Sequence, residues 1–264
     1  ISKGVTDSIF KVAAPPQKVL YYDFELSPKQ FENRYSADYK YHYQFSENLI
    51  RCELNPEGMD VVNFEIALLE ALEKAITEEG AKVLIVDNIT YLKTQSAETA
   101  KEALPLMKML MKLKRKYGLS ILALAHTPKR NQSNYITIND LAGSKHLANF
   151  TDSAFAIGAS NKSASTKYIK QIKTRSTEKH YDTDNVMVCQ IEKEHNFLQF
   201  KYLQCDHERE HLKQESESEQ KKLDNAIIEL YKENTALSDR EIARQLNTNH
   251  KRVGRVLKKH NLKT

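Results

Sequence analysis

Three apolar runs in this sequence end in polar groups suited to phosphate chemistry. KVLYYDFE runs out through Asp23-Phe24-Glu25, KVLIVDN ends in Asp87-Asn88, and LSILALAHT ends in His126-Thr127. A carboxylate directly after an apolar strand can hold Mg²⁺ through water, because hard cations take oxygen ligands. A second carboxylate nearby can polarise an attacking water, and a polar group such as His126 can contact a terminal phosphate. One strand with a polar end is ordinary, since strand ends emerge into solvent. Three together weigh against that reading. A fourth run, YIKQIKTRS, ends in Lys173 and Arg175. A basic pair there is either a solvated strand end or a pair of cations able to neutralise charge that develops in phosphoryl transfer. Tyr39, Tyr41, Tyr43 and Phe45 alternate as in a half-buried strand; base stacking is the second reading. His195, His207 and His211 lack metal-ligand spacing.

These groups need strands to carry them to one edge. Residues 18–24 are β-branched and aromatic and follow the Pro15-Pro16 breaker. Residues 28–36 read as helix and 39–45 as a further strand. Between Gly58 and Glu79, Phe64, Ala67, Leu68, Ala71, Leu72 and Ala75 form the stripe of an amphipathic helix, with Gly80 at the C-cap position. Residues 82–86 (KVLIV) lack alternation, as in a strand buried on both faces of a parallel sheet. A long helix over 97–117, closed by Gly118, and a second buried strand over 119–125 repeat the pattern. Strand–helix alternation at this period is the signature of an α/β domain. In such sheets ligands sit at the carboxyl ends of the strands. Shorter strands over 154–158, 167–173 and 186–191 complete a domain ending near Tyr202, so residues 1–205 are taken as one unit.

Residues 206–222 (DHEREHLKQESESEQKK) are almost wholly charged or polar and read as a linker or solvated helix. Residues 223–264 read as a separate helical unit. Its first helix covers 223–234, Ser238 and Glu241 form a capping box that starts the second, and Asn247 occupies a turn. A third helix from about residue 249 to 260 turns Val253, Val256 and Leu257 inward. Small Ala243, the turn at Asn247 and the inward Val253 resemble a helix-turn-helix. His250, Lys251, Arg252, Arg255 and Lys259 then lie on or beside the exposed side, available to DNA bases and phosphates. The net charge of +5 is concentrated here: residues 247–264 hold six Lys+Arg and no acid, leaving the remainder one charge below neutral. A protein-interaction module with a merely solvated basic face is the competing reading.

The 264 residues, 40% of them hydrophobic, can bury a core. No apolar run approaches the ~20 residues that span a bilayer, and the first 20 residues lack a signal-peptide core, so no membrane partner is expected. The three cysteines are widely separated and indicate neither a disulfide framework nor a zinc knuckle; a reduced, cytoplasmic setting is expected. The seven glycines include no pair with the spacing of G-x-x-x-x-G-K-[ST] or G-x-G-x-x-G.

The ordered set over residues 1–203 resembles the RecA-like ATPase superfamily, in particular the RepA-type and DnaB-type replicative helicases and their mobile-element relatives. The resemblance implies a mostly parallel sheet flanked by helices. It maps the catalytic glutamate onto Glu25, the magnesium-ordering Walker B aspartate onto Asp87 with Asn88 beside it, and the γ-phosphate sensor onto His126. Within DLAGSKHLANFTDSAFAIG it places Gly143, Ser144 and Asp152 at recurrent positions. It also makes Lys173 and Arg175 fingers that reach a neighbour's nucleotide, implying a homo-oligomer, hexameric in some members. ATP and Mg²⁺ are the implied cofactors and DNA the implied partner. The family's Walker A loop is absent, and Ile1 is not a natural start, so the natural protein is expected to extend upstream. The alternative is a non-enzymatic DNA-binding regulator that keeps the RecA-like scaffold.

Overall fold

The computed structural model describes residues 1–3, 14–53, 64–89, 103–127, 129–141, 145–214 and 217–263. Its elements in chain order are β1 Val19–Asp23, α1 Pro28–Arg34, β2 Ser36–Ala37, β3 Tyr41–His42, β4 Leu49–Glu53, α2 Phe64–Glu79, β5 Val83–Asp87, α3 Ala103–Tyr117, β6 Ser120–Ala123, α4 Lys145–Phe150, β7 Ser153–Ala159, β8 Thr166–Thr174, β9 Val186–Glu194, β10 Phe197–Asp206, α5 Glu217–Glu233, α6 Asp239–Gln245 and α7 His250–Lys259.

The first half is an α/β layer structure, as the strand–helix alternation predicts. β4, β1, β5 and β6 form a parallel sheet in that order. The register sets Asp23 beside Asp87 on one side and beside Glu53 on the other. Leu20, Tyr22, Leu84 and Val86 pack on Leu68, Leu72 and Ile76 of α2 and on Leu106, Met107, Leu110 and Leu113 of α3. Burial of such side chains, about 1.5–3 kcal/mol each, fixes the strand ends relative to one another. Gly80 and Gly118 end α2 and α3 at φ 63° and 65°, a backbone region where glycine carries no Cβ penalty.

Two local expectations are corrected. The tyrosine-rich segment forms strand only at Tyr41–His42, paired with Ser36–Ala37 across a turn in which Asp38 and Tyr39 take positive φ. Tyr43 and Phe45 instead join Phe31, Tyr35 and Phe197 in an aromatic cluster, with Tyr43 and Phe197 centroids 4.4 Å apart. The run over 119–125 is not a strand buried on both faces: β6 alternates exposed and half-buried, because it pairs with β5 and ends the parallel sheet. β4 carries no strong sequence signal, yet it flanks β1 and contributes Arg51.

The second sheet is an antiparallel meander, β10-β9-β8-β7. β10 runs on to Asp206, and the charged segment after it is not uniformly solvated. Glu208 and His211 lie in a short 3₁₀ turn, Glu208–His211, and both are buried. Glu208 accepts from Lys170 Nζ at 2.5 Å and from the Ile136 amide at 2.7 Å. Lys170 also donates to the Ile136 carbonyl. Burial of a carboxylate requires such pairing.

Helix α5 begins at Glu217, ahead of the expected first helix. It packs with α6 and α7 around Ile227, Ile242, Val253 and Leu257, all fully buried. Ser238 and Glu241 form the expected capping box, and Asn247 in the turn takes φ 47°. Among the described residues, no helix is long and apolar enough to cross a membrane.

Candidate functional site at the carboxyl edge of the parallel sheet

The ends of β1, β5 and β6 converge. Asn88 is the hub: its side-chain amide donates to Glu25 Oε2 at 2.9 Å and stands 2.9 Å from His126 Nε2. His126 Nε2 is also 3.4 Å from Glu25 Oε2. Asn88 is buried, whereas Glu25 and His126 are exposed, so the hub is held from below and its two partners face solvent. The Asp87–Asn88 peptide is cis. Three residues taken from three separate strand ends thus form one group.

Glu25 is aimed by the turn that follows β1. The Asp23 carboxylate, fully buried, accepts from the backbone amides of Glu25 at 3.1 Å and Leu26 at 2.9 Å. Its second oxygen accepts from Arg51 Nε at 3.0 Å. Arg51 also donates to the Leu26 carbonyl, pairs with Glu53 and lies over the Phe31 ring at 4.1 Å. The guanidinium fork therefore ties β4, the β1 turn and α1 together, a geometry lysine does not reproduce. Arg51 and Tyr21 escaped the sequence reading. A lone arginine inside LIRCE and a tyrosine in an apolar strand carry no motif.

Asp87 accepts from Tyr21 Oη at 2.8 Å. Burial pushes its carboxyl above the ordinary carboxylate range; the Tyr21 hydrogen bond pulls the other way, and the negative charges of Asp23 and Glu25 add to the rise. Burial together with the same hydrogen bond holds the Tyr21 hydroxyl protonated. A carboxyl uncomfortable as an anion in this setting is a suitable partner for a cation. Among the described residues, no three His, Cys, Asp or Glu side chains form a metal-holding cluster. The donor set fits Mg²⁺, which keeps waters and uses one or two carboxylates alongside substrate phosphates. A glycine-rich phosphate cradle does not occur in the 264 residues.

Lys173 and Arg175 lie apart from this group. Lys173 Nζ donates to the carbonyls of Ala148 and, at 2.8 Å, Thr151. Arg175 donates to Asp152 and to the Asn149 carbonyl, both at 3.0 Å. Lys114 pairs with the same Asp152 at 2.6 Å. Both cations, as placed, tie β8 to the end of α4. Gly143 and Ser144 lie outside the described residues.

In the three-helix unit, His250, Lys251, Arg255 and Lys259 are exposed on α7. Arg252 lies beside them: it is half-buried, paired with Asp224 at 3.0 Å and donating to the Gln220 carbonyl at 3.1 Å, and so fastens α7 to α5. Lys258, not singled out by the sequence, is exposed among them.

Residues 4–132, just under half of the chain, match a family model described as AAA domain. The matched region contains Glu25, Asp87, Asn88 and His126, and the match supports a P-loop ATPase-like family. No curated protein matches the chain.

Proposed function

We propose that this protein is a RecA-like ATPase of the RepA/DnaB-type branch that works on DNA, in replication or mobilisation of a plasmid or transposable element, and couples nucleotide hydrolysis to DNA binding. The observation that carries the reading is the junction of Glu25, Asn88 and His126 at the carboxyl edge, beside Asp87 and inside the segment that matches the AAA domain model.

In this reading Glu25 Oε2 takes the proton of the attacking water, and Asn88 holds that oxygen and His126 at fixed separation. His126 faces the terminal phosphate. Asp87, through water, holds the Mg²⁺ whose charge offsets that of the phosphates when ATP is bound. Preorganised groups of this kind work by positioning and electrostatics. In a homo-oligomer Lys173 and Arg175 would serve a neighbour's nucleotide, which requires them to exchange their present carbonyl and Asp152 partners. The three-helix unit, read as a helix-turn-helix, presents α7 to the major groove. The cytoplasm is the proposed setting.

A second reading has one observation in its favour: the 264 residues contain no glycine-rich phosphate loop. In it the RecA-like scaffold is retained by a non-enzymatic DNA-binding regulator. ATP turnover by the protein, with and without duplex DNA, separates the two. DNA-responsive turnover that collapses in Glu25→Gln supports the enzyme. Turnover undiminished by Glu25→Gln overturns the assignment of the base. Absent turnover with salt-sensitive DNA binding retained supports the regulator.

A further inference from the structure

The near-neutral total of the first domain conceals a strongly cationic helix. Helix α3 (ALPLMKMLMKLKRKY) carries Lys108, Lys112, Lys114, Arg115 and Lys116 and no carboxylate. Its inner face buries Leu106, Met107, Leu110 and Leu113 in the core. Lys108, Lys112 and Arg115 are exposed, and at spacings of four and seven residues they share one stripe. That stripe is about 10.5 Å long at 1.5 Å per residue.

Local causes account for part of this charge. Lys114 pairs with Asp152 at 2.6 Å and Lys116 with Glu73 at 3.1 Å, and cations in a last turn complement the helix dipole. Lys108 and Lys112 lie upstream of that turn. Among the described residues no carboxylate pairs with Lys108, Lys112 or Arg115, and like charges four residues apart weaken a helix. Beside the stripe is an open groove of about 620 Å³ lined by Lys108, Met111, Lys112, Arg115, Lys116 and Phe150. Its lining combines the apolar Met111 and Phe150 with four cations. That combination matches a polyanion whose linkers offer C–H faces, as phosphates joined by deoxyribose do.

We propose that this α3 groove is a second DNA contact, gripping the phosphate–sugar backbone without reading sequence, separate from the three-helix unit. Lys108, Lys112 and Arg115 each take a phosphate, and Met111 with Phe150 packs on the intervening sugars. The contact needs nothing from residues 217–263, so it stands or falls apart from the helix-turn-helix reading.

The test is binding of a random-sequence duplex by the full chain, followed by fluorescence anisotropy between about 50 and 200 mM salt. Four proteins are compared: wild type, Lys108→Ala/Lys112→Ala/Arg115→Ala, Lys251→Ala/Arg255→Ala/Lys259→Ala, and the combination. The α3 variant is expected to reduce the slope of log affinity against log salt by about 2.7, at about 0.9 per phosphate lost. The same decrement is expected in the background lacking the α7 cations. Lys108→Arg/Lys112→Arg, which keeps the charge, is expected to keep the slope. An unchanged slope in both backgrounds overturns the proposal. So does loss of binding to phosphatidylserine vesicles with DNA binding intact, which would make the face a membrane contact. If the α7 variant alone binds DNA as wild type does, the helix-turn-helix reading fails while the α3 arm is still read.

Discussion

The Asn88 side-chain amide donates to Glu25 Oε2 at 2.9 Å, although the two residues belong to different strand ends. A hydrogen bond to a carboxylate is worth about 1.5–3 kcal/mol, and here it fixes the very oxygen assigned to the attacking water. Glu25→Gln is expected to lower kcat of ATP turnover by about 10²–10⁴-fold, the usual contribution of a general base. Asn88→Ala, which removes a positioning group, is expected to lower kcat by about 10–100-fold with KM for ATP nearly unchanged. Steady-state kinetics on the protein and its variants decides. A rise in KM with kcat intact would show that Asn88 serves binding instead.

The pairing of Arg51 with Asp23 is the support beneath that site. Asp23 is fully enclosed and Arg51 is 17% exposed, so removing one partner strands a buried charge. Arg51→Ala is expected to destabilise the fold by about 3–5 kcal/mol in urea melts. Arg51→Lys is expected to recover less than half of that, because it loses both the fork and the face-on contact with Phe31. Full recovery by lysine would mean that charge alone matters here.

Asp87 illustrates the opposite balance. Burial and the nearby Asp23 and Glu25 charges disfavour its anion, so the folded protein is strained by it at neutral pH. Asp87→Asn keeps an acceptor for Tyr21 and removes the charge. A higher urea midpoint at pH 7, together with loss of ATP turnover, is the expected result, the stability–function trade-off common at active sites. A lower midpoint would show that the aspartate carries structural weight that its surroundings do not reveal.

What the sequence made legible follows from where its signals are local. Apolar runs at 82–86 and 119–125 announced β5 and β6, because a strand in a parallel sheet must be apolar; glycines after α2 and α3 announced helix ends, because φ there is positive. Ser238 and Glu241 announced α6 because a capping box lies within four residues. The unread parts depend on distant partners. That β6 ends its sheet is a fact of pairing, invisible in LSILALA itself. Arg51 and Asp23 are 28 residues apart, and nothing in either segment names the other. Glu208 looked solvated because its neighbours are charged, yet Lys170, in β8, draws it inside. Likewise a net charge summed over a domain cancelled the five cations of α3 against acids elsewhere.

The 3₁₀ turn that holds Glu208 also holds a pH-sensitive group. His211 Nδ1 is 2.8 Å from Ser160 Oγ, and Nε2 is 3.3 Å from Asp206 Oδ2 without hydrogen-bond geometry. Burial lowers the imidazole pKa below its ordinary value of 6.5, with the Lys162 charge acting in the same direction and Asp206 against it. The unfolded chain therefore binds this proton more readily than the folded one. Stability is full above pH 6.5 and declines as pH falls below it towards the depressed folded value. Asp206, held low chiefly by its Lys162 hydrogen bond, adds a loss that begins only as pH falls to the ordinary carboxylate value of 3.8. Urea midpoints measured from neutral to mildly acid pH are expected to fall for wild type and to flatten for His211→Gln. An equal slope in both proteins would place the acid sensitivity elsewhere.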